Sequence, residues 1–160
     1  MLFRSSLIDQ FDFYAKAGWL RQKLGEYGIA HENYQAALDF YRANNLEDPG
    51  REVTLLSNIG ALCNTKRKFE ESKDYFEVAE RLVRESGAEV LPKTLVSLLN
   101  NMATLELNMG RYEEAKVSLL KTLEISRNSL GAGHGKTLVC LNNLAVCFQY
   151  QGDLEKSLKI

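Results

Sequence analysis

The segment nearest to a chemical motif is Gly131-Ala132-Gly133-His134-Gly135-Lys136-Thr137. A phosphate-binding loop needs Gly, four residues, then Gly-Lys-Ser/Thr. Its backbone N–H groups wrap the phosphates while the Lys and the hydroxyl reach the phosphate–magnesium end. Here Leu130 stands where the first Gly belongs, and counting from Gly131 leaves the loop one residue short. A strand should precede such a loop, yet Tyr112–Arg127 has a helical pattern. The segment therefore reads as a glycine-rich connector with Thr137 near a helix start. His31 and His134 are the two histidines, and neither has a Cys, Ser or second His at ligand or catalytic spacing. Cys63, Cys140 and Cys147 form no Cys-x-x-Cys pair and sit in apolar helical contexts, the pattern of buried thiols in a reducing compartment. No nucleophile elbow or His-Glu-x-x-His pattern occurs. Glu70-Glu71 and Glu113-Glu114 suit the positive end of a helix better than acid–base work. The expectation is a protein that is not an enzyme, with no cofactor and no metal.

The whole-chain arithmetic agrees. The 160 residues carry 20 Lys plus Arg against 21 Asp plus Glu, a net charge of −1. That balance gives no overall attraction for nucleic acid or an anionic membrane. With 45% hydrophobic residues the chain has the composition of a folded protein. Only 2 prolines occur, which favours long helices over a turn-rich β fold. No apolar run approaches 18 residues, so no membrane-inserted helix is expected. The N-terminus lacks a long apolar signal region, and there is no Asn-x-Ser/Thr sequon. A cytoplasmic, or at least intracellular, location is expected.

Positioning falls to an internal repeat. Leu107-Asn-Met-Gly110-Arg-Tyr112-Glu-Glu-Ala115 has counterparts in Lys23–Ala30, Lys66–Ser72 and Gln149–Ser157. The turn positions Gly25, Arg67, Gly110 and Gly152 are 42, 43 and 42 residues apart. An independent series of small residues, Gly18, Gly60, Ala103 and Ala145, repeats the same offsets. Each unit reads as two helices. The first carries the small residue at its middle, where a partner helix can approach closely. A tight turn follows, then an aromatic or Leu (Tyr27, Phe69, Tyr112, Leu154) and a small residue (Ala30, Ser72, Ala115, Ser157). Tyr34, Phe76 and Leu119, then Ala37, Ala79 and Thr122, continue along one helical face. First helices are expected over 6–23, 51–65, 92–108 and 137–150. Second helices are expected over 27–44, 69–86, 112–128 and from 154 onward. Pro49 and Pro92 suit early helix positions, with Asp48 as a cap. The extra residue of the 43-residue interval is expected near Gly87-Ala88-Glu89.

Small residue, turn glycine, aromatic, small residue, in helix–turn–helix order, resembles the tetratricopeptide repeat. The resemblance implies an all-α, right-handed α-solenoid of antiparallel helix pairs with about three and a half repeats. The array would span 1–160, with repeats at approximately 11–52, 53–95, 96–137 and an incomplete 138–160. The unit exceeds the usual one by about 8 residues, or roughly two helical turns. Leu99-Asn100-Asn101-Met102-Ala103, Leu141-Asn142-Asn143-Leu144-Ala145 and the linker Ser129–Thr137 resemble the long repeats of kinesin light chains. Gly135 stands where those have Pro. The chain stops at Ile160 inside the eighth helix, so a fragment, or an open end that pairs with another copy, is expected.

In this fold the first helices line a concave face. With the mid-helix small residue as position eight, that face is positions two, five, six, nine, twelve and thirteen. Position six reads Lys16, Asn58, Asn101, Asn143, and position five reads Ala15, Ser57, Asn100, Asn142. Position twelve reads Gln22, Asn64, Leu107, Gln149, and position thirteen Lys23, Thr65, Asn108, Tyr150. Trp19 heads position nine. An Asn amide both donates and accepts, so a ladder of them can grip the backbone of an extended peptide. The resemblance points the same way, because related repeats use Asn there to hold peptides. The competing reading is Asn bonded to a neighbouring helix. The candidate groove is thus Lys16, Trp19, Gln22, Lys23, Asn58, Asn64, Asn100, Asn101, Asn108, Asn142, Asn143, Gln149 and Tyr150. The expected function is an adaptor or scaffold that binds a protein's extended peptide or short helix there. The alternative is self-association or complex assembly through repeat edges.

Overall fold

The computed structural model describes residues 2–86 and 90–152. The expectations about Gly87–Glu89 and about a helix from residue 154 onward lie outside the described residues. Among the described residues seven helices follow in order: α1 Leu2–Lys23, α2 Tyr27–Ala43, α3 Pro49–Thr65, α4 Phe69–Ser86, α5 Pro92–Asn108, α6 Tyr112–Leu130 and α7 Gly135–Tyr150. No strand occurs among the described residues. Helix α1 packs antiparallel on α2, α3 on α4 and α5 on α6, while α3 packs on α5 and α5 on α7. The result is an all-α solenoid of helix hairpins.

Local chemistry explains the boundaries. The Asp48 carboxylate accepts the Arg51 N–H at 3.2 Å, and Pro49 opens α3 where no N–H is needed. That is why α3 starts two residues ahead of the position that periodicity alone gives. His134 caps α7 in the same way, its Nδ1 accepting the Lys136 N–H at 3.2 Å. Helices α1, α3 and α5 end on one motif. After α3, Arg67 N–H donates to Asn64 O and Lys68 N–H to Cys63 O, both at 2.9 Å. This closure needs a left-handed residue, and all four turn positions supply one: φ is +77° at Gly25, +59° at Arg67, and +76° at Gly110 and Gly152.

The small-residue series fixes how closely the hairpins close. A Cβ at Gly18 would lie 2.6 Å from Tyr34, and one at Gly60 would lie 2.6 Å from Phe76. In the third hairpin Ala103 faces a smaller partner, Leu119, and both are fully buried. Gly with an aromatic ring and Ala with Leu are two volume-matched solutions of one contact. Ser72 Oγ also donates to the Gly60 carbonyl at 2.8 Å. The apolar core runs continuously from Phe11 through α2–α4 to Leu105, and a second cluster joins Ala103, Leu119, Leu123, Cys140, Leu144 and Cys147.

Candidate functional site

Two adjoining cavities open along the first helices. One, of about 450 Å³, is bounded by Trp19 of α1, Ser57 and Asn58 of α3, Lys93 and Ser97 of α5, and Lys136 of α7. The other, of about 320 Å³, lies between α1 and α3 and is bounded by Phe11, Asp12, Ala15, Arg51 and Leu55. They share Thr54, Asn58, Leu91 and Thr94. One face of the solenoid therefore offers a pocket that sets Phe11, Ala15 and Leu55 beside the Asp12, Asp48 and Arg51 charges, next to a hydroxyl-rich one with two ammonium groups and, among the described residues, no carboxylate in its lining.

The thirteen candidate residues meet different fates. Trp19 and Asn58 line the larger cavity. Lys16 is largely exposed and stands 3.9 Å from Asp12, and the Lys23 ammonium lies 5.8 Å from the Trp19 ring centre. Gln22 is turned to its own hairpin, where Oε1 accepts from Tyr34 Oη at 2.9 Å. Burial pushes that phenol up to about 12. Several Asn amides are committed to neighbouring first helices. Asn101 Nδ2 donates to Ser57 Oγ at 3.0 Å, Asn108 Nδ2 to Asn64 Oδ1 at 3.0 Å, and Asn143 Nδ2 to Thr104 Oγ1 at 3.3 Å. Asn100 is buried between α5 and α7, where its Nδ2 donates to the Lys136 carbonyl at 3.1 Å. Asn142 and Gln149 are exposed. Tyr150 is stacked on Tyr112 of α6, with ring centres 4.4 Å apart and planes 8° from parallel. Most of the Asn stripe thus acts as inter-helix clasps, and of its members Asn58 lines the cavities.

Sequence reasoning missed Arg51, Thr94 and Lys136, which share one register. They lie 43 and 42 residues apart, three residues before position two, so one more helical step toward the N-terminus would have found them. Lys136 is the most informative of them. Its ammonium bonds the Ser97 hydroxyl, and burial, with Lys93 nearby, holds it below the ordinary lysine range. Thr137 faces inward instead, its hydroxyl 2.6 Å from Ser126 Oγ and donating to the Gly131 carbonyl at 2.8 Å. Lysine and threonine of the loop therefore point to different places, where a phosphate site needs them together. The three thiols are buried, and burial raises all of them, Cys140 to about 11.

Residues 94–160 match the tetratricopeptide-repeat family model. Over those residues the chain is similar to tetratricopeptide repeats. No curated protein matches it in sequence. The fold is similar to the crystal structure of BtubC (BKLC) from P. vanneervenii, with a TM-score of 0.76 and 22% identity over 93% of this chain. The chain spans 59% of the length of that protein. Repeats of this family mediate protein–protein interaction and are generally non-catalytic. Among the described residues no helix is long and apolar enough to cross a membrane.

Proposed function

We propose that residues 1–160 act as one array that binds an extended segment of a partner protein along the first-helix face, as an adaptor or scaffold. The observation that carries this is the paired cavity. A pocket with Phe11, Ala15 and Leu55 on its walls and the Asp12–Arg51 pair beside them adjoins a hydroxyl-rich one that holds Lys93 and Lys136. An extended peptide places neighbouring side chains about 7 Å apart on one face, which suits two adjacent pockets. The fitting ligand has an apolar side chain next to an anionic one. Its backbone meets Asn58, with Asn101 and Asn143 on the same stripe of first helices.

A peptide array of random ten-residue sequences, probed with the whole chain, supplies a ligand. Fluorescence polarisation then compares that peptide on wild type, Asn58→Ala, Asn101→Ala, Asn143→Ala and Lys136→Gln. Losing the amide or the charge should weaken binding about 5- to 20-fold for each change. Unchanged affinity in all four refutes the groove. A second reading, assembly through repeat edges, is favoured by exposed Phe13 and Leu20 on α1, Leu24 just after it, and Val117, Leu120, Leu138 and Val139 on α6 and α7. Light scattering tests it, and a strict monomer at high concentration removes it.

A further inference from the structure

The first two hairpins are joined differently from the rest. Between α3 and α5 amides and hydroxyls bridge the helices, and between α5 and α7 an amide–hydroxyl bond and the Lys136 ammonium on Ser97 do so. Between α1 and α3 lies the smaller cavity, crossed by one side chain. Arg51 Nη1 on α3 pairs with Asp12 on α1, Nε donates to Asp48 Oδ2 at 2.9 Å, and Cζ sits 5.4 Å from the Phe11 ring centre. On the α2 side, Arg42 Nε and Nη2 both donate to Glu52 Oε1, at 3.0 and 2.9 Å. Among the described residues, the ion pairs that link one hairpin to the next, Asp12–Arg51 and Arg42–Glu52, both fall at this junction.

We propose that Arg51 is a positioning residue for the groove: its ion pair with Asp12 holds α1 against α3, and this junction is the hinge that sets groove width. The other first-helix junctions rely on close helix contact and on bonds to uncharged acceptors, the Lys136 ammonium on the Ser97 hydroxyl among them, which salt screens less than an ion pair. An ion pair of partly exposed groups, both about one-third accessible, weakens as the screening length falls. Opening the junction moves Trp19 away from Asn58 and Lys136, because Trp19 lies on α1 and bounds the larger cavity. An anionic group arriving between α1 and α3 competes with Asp12 for Arg51, so a ligand there is coupled to the same motion. The consequence for ligands rests on the groove reading; the hinge itself does not.

Trp19 is the single tryptophan, so the hinge can be read without a ligand. Quenching of its fluorescence by neutral acrylamide should rise as salt shortens the screening length from about 30 Å at 0.01 M to about 3 Å at 1 M. The rise is bounded at about twofold, since Trp19 is already 54% exposed. Arg51→Met should start at the high-salt value and lose the salt response, and Arg51→Lys should restore part of it. Asp12→Asn removes the same pair without touching the α3 cap and should behave like Arg51→Met. Circular dichroism follows helix content throughout. Salt-independent quenching in wild type, an Arg51→Met variant that responds as wild type does, or unfolding of both variants overturns the hinge and leaves the groove reading standing. A salt-responsive chain that binds no array peptide overturns the groove reading alone.

Discussion

Gly60 shows how one residue type can set the distance between two helices. A Cβ there would meet the Phe76 ring at 2.6 Å, and the ring is buried with nowhere to move. Gly60→Ala should therefore destabilise by about 1–3 kcal/mol despite the better helix propensity of Ala, seen as a lower urea midpoint at unchanged slope. Tyr34 gives a pH prediction. Its raised phenol favours the protonated, folded form, so stability is fully present below pH 10 and is lost as pH rises toward about 12. One such group contributes a slope of up to about 1.4 kcal/mol per pH unit in that window. Burial also raises Tyr41 and Tyr75. Tyr34→Phe should flatten the alkaline limb without abolishing it, measured by denaturant melts from pH 9 to 12. The thiols should resist alkylation at pH 8 until the chain unfolds, because Cys140 at about 11 holds little thiolate. At this scale the sequence was legible wherever size was the constraint. Gly18, Gly60 and Ala103 stood out because only small residues fit those contacts.

At the scale of the element, the helices were legible to within a few residues, because apolar spacing, Asp48-Pro49 and the turn glycines all mark their ends. Even Arg67, in a turn that lost its glycine, adopts φ +59° under the same pair of closing bonds. The Asn series was legible as a stripe but not as a set of clasps. Periodicity gives the angle of a side chain around its own helix, not how near the next helix comes. Asn101 and Asn108 find their partners in Ser57 and Asn64, 44 residues away in each case. Asn108→Ala leaves the buried Asn64 oxygen without its donor and should cost about 1 kcal/mol. Hydrogen exchange should show it as faster opening of α3 and α5 together, with α7 unaffected. Uniform exchange across the three helices would contradict the clasp.

At the scale of the molecule, repetition turns these local rules into one long surface. Each hairpin contributes a first helix to the same face, and residues one repeat apart become neighbours. Arg51 and Lys136 come to bound adjoining cavities that share Thr94 in this way, although no short window of sequence relates them. Net charge concealed them, since −1 over the chain coexists with two lysines around a cavity that no carboxylate lines among the described residues. The central claim is that this face receives an extended peptide. The most direct test is amide and side-chain NMR of the whole chain, titrated with the array-selected peptide. Shifts should concentrate on Trp19, Asn58, Lys93, Ser97 and Lys136, with α2, α4 and α6 unmoved on their outward faces. Shifts confined to α2, α4 and α6, with Trp19 and Lys136 silent, would contradict it.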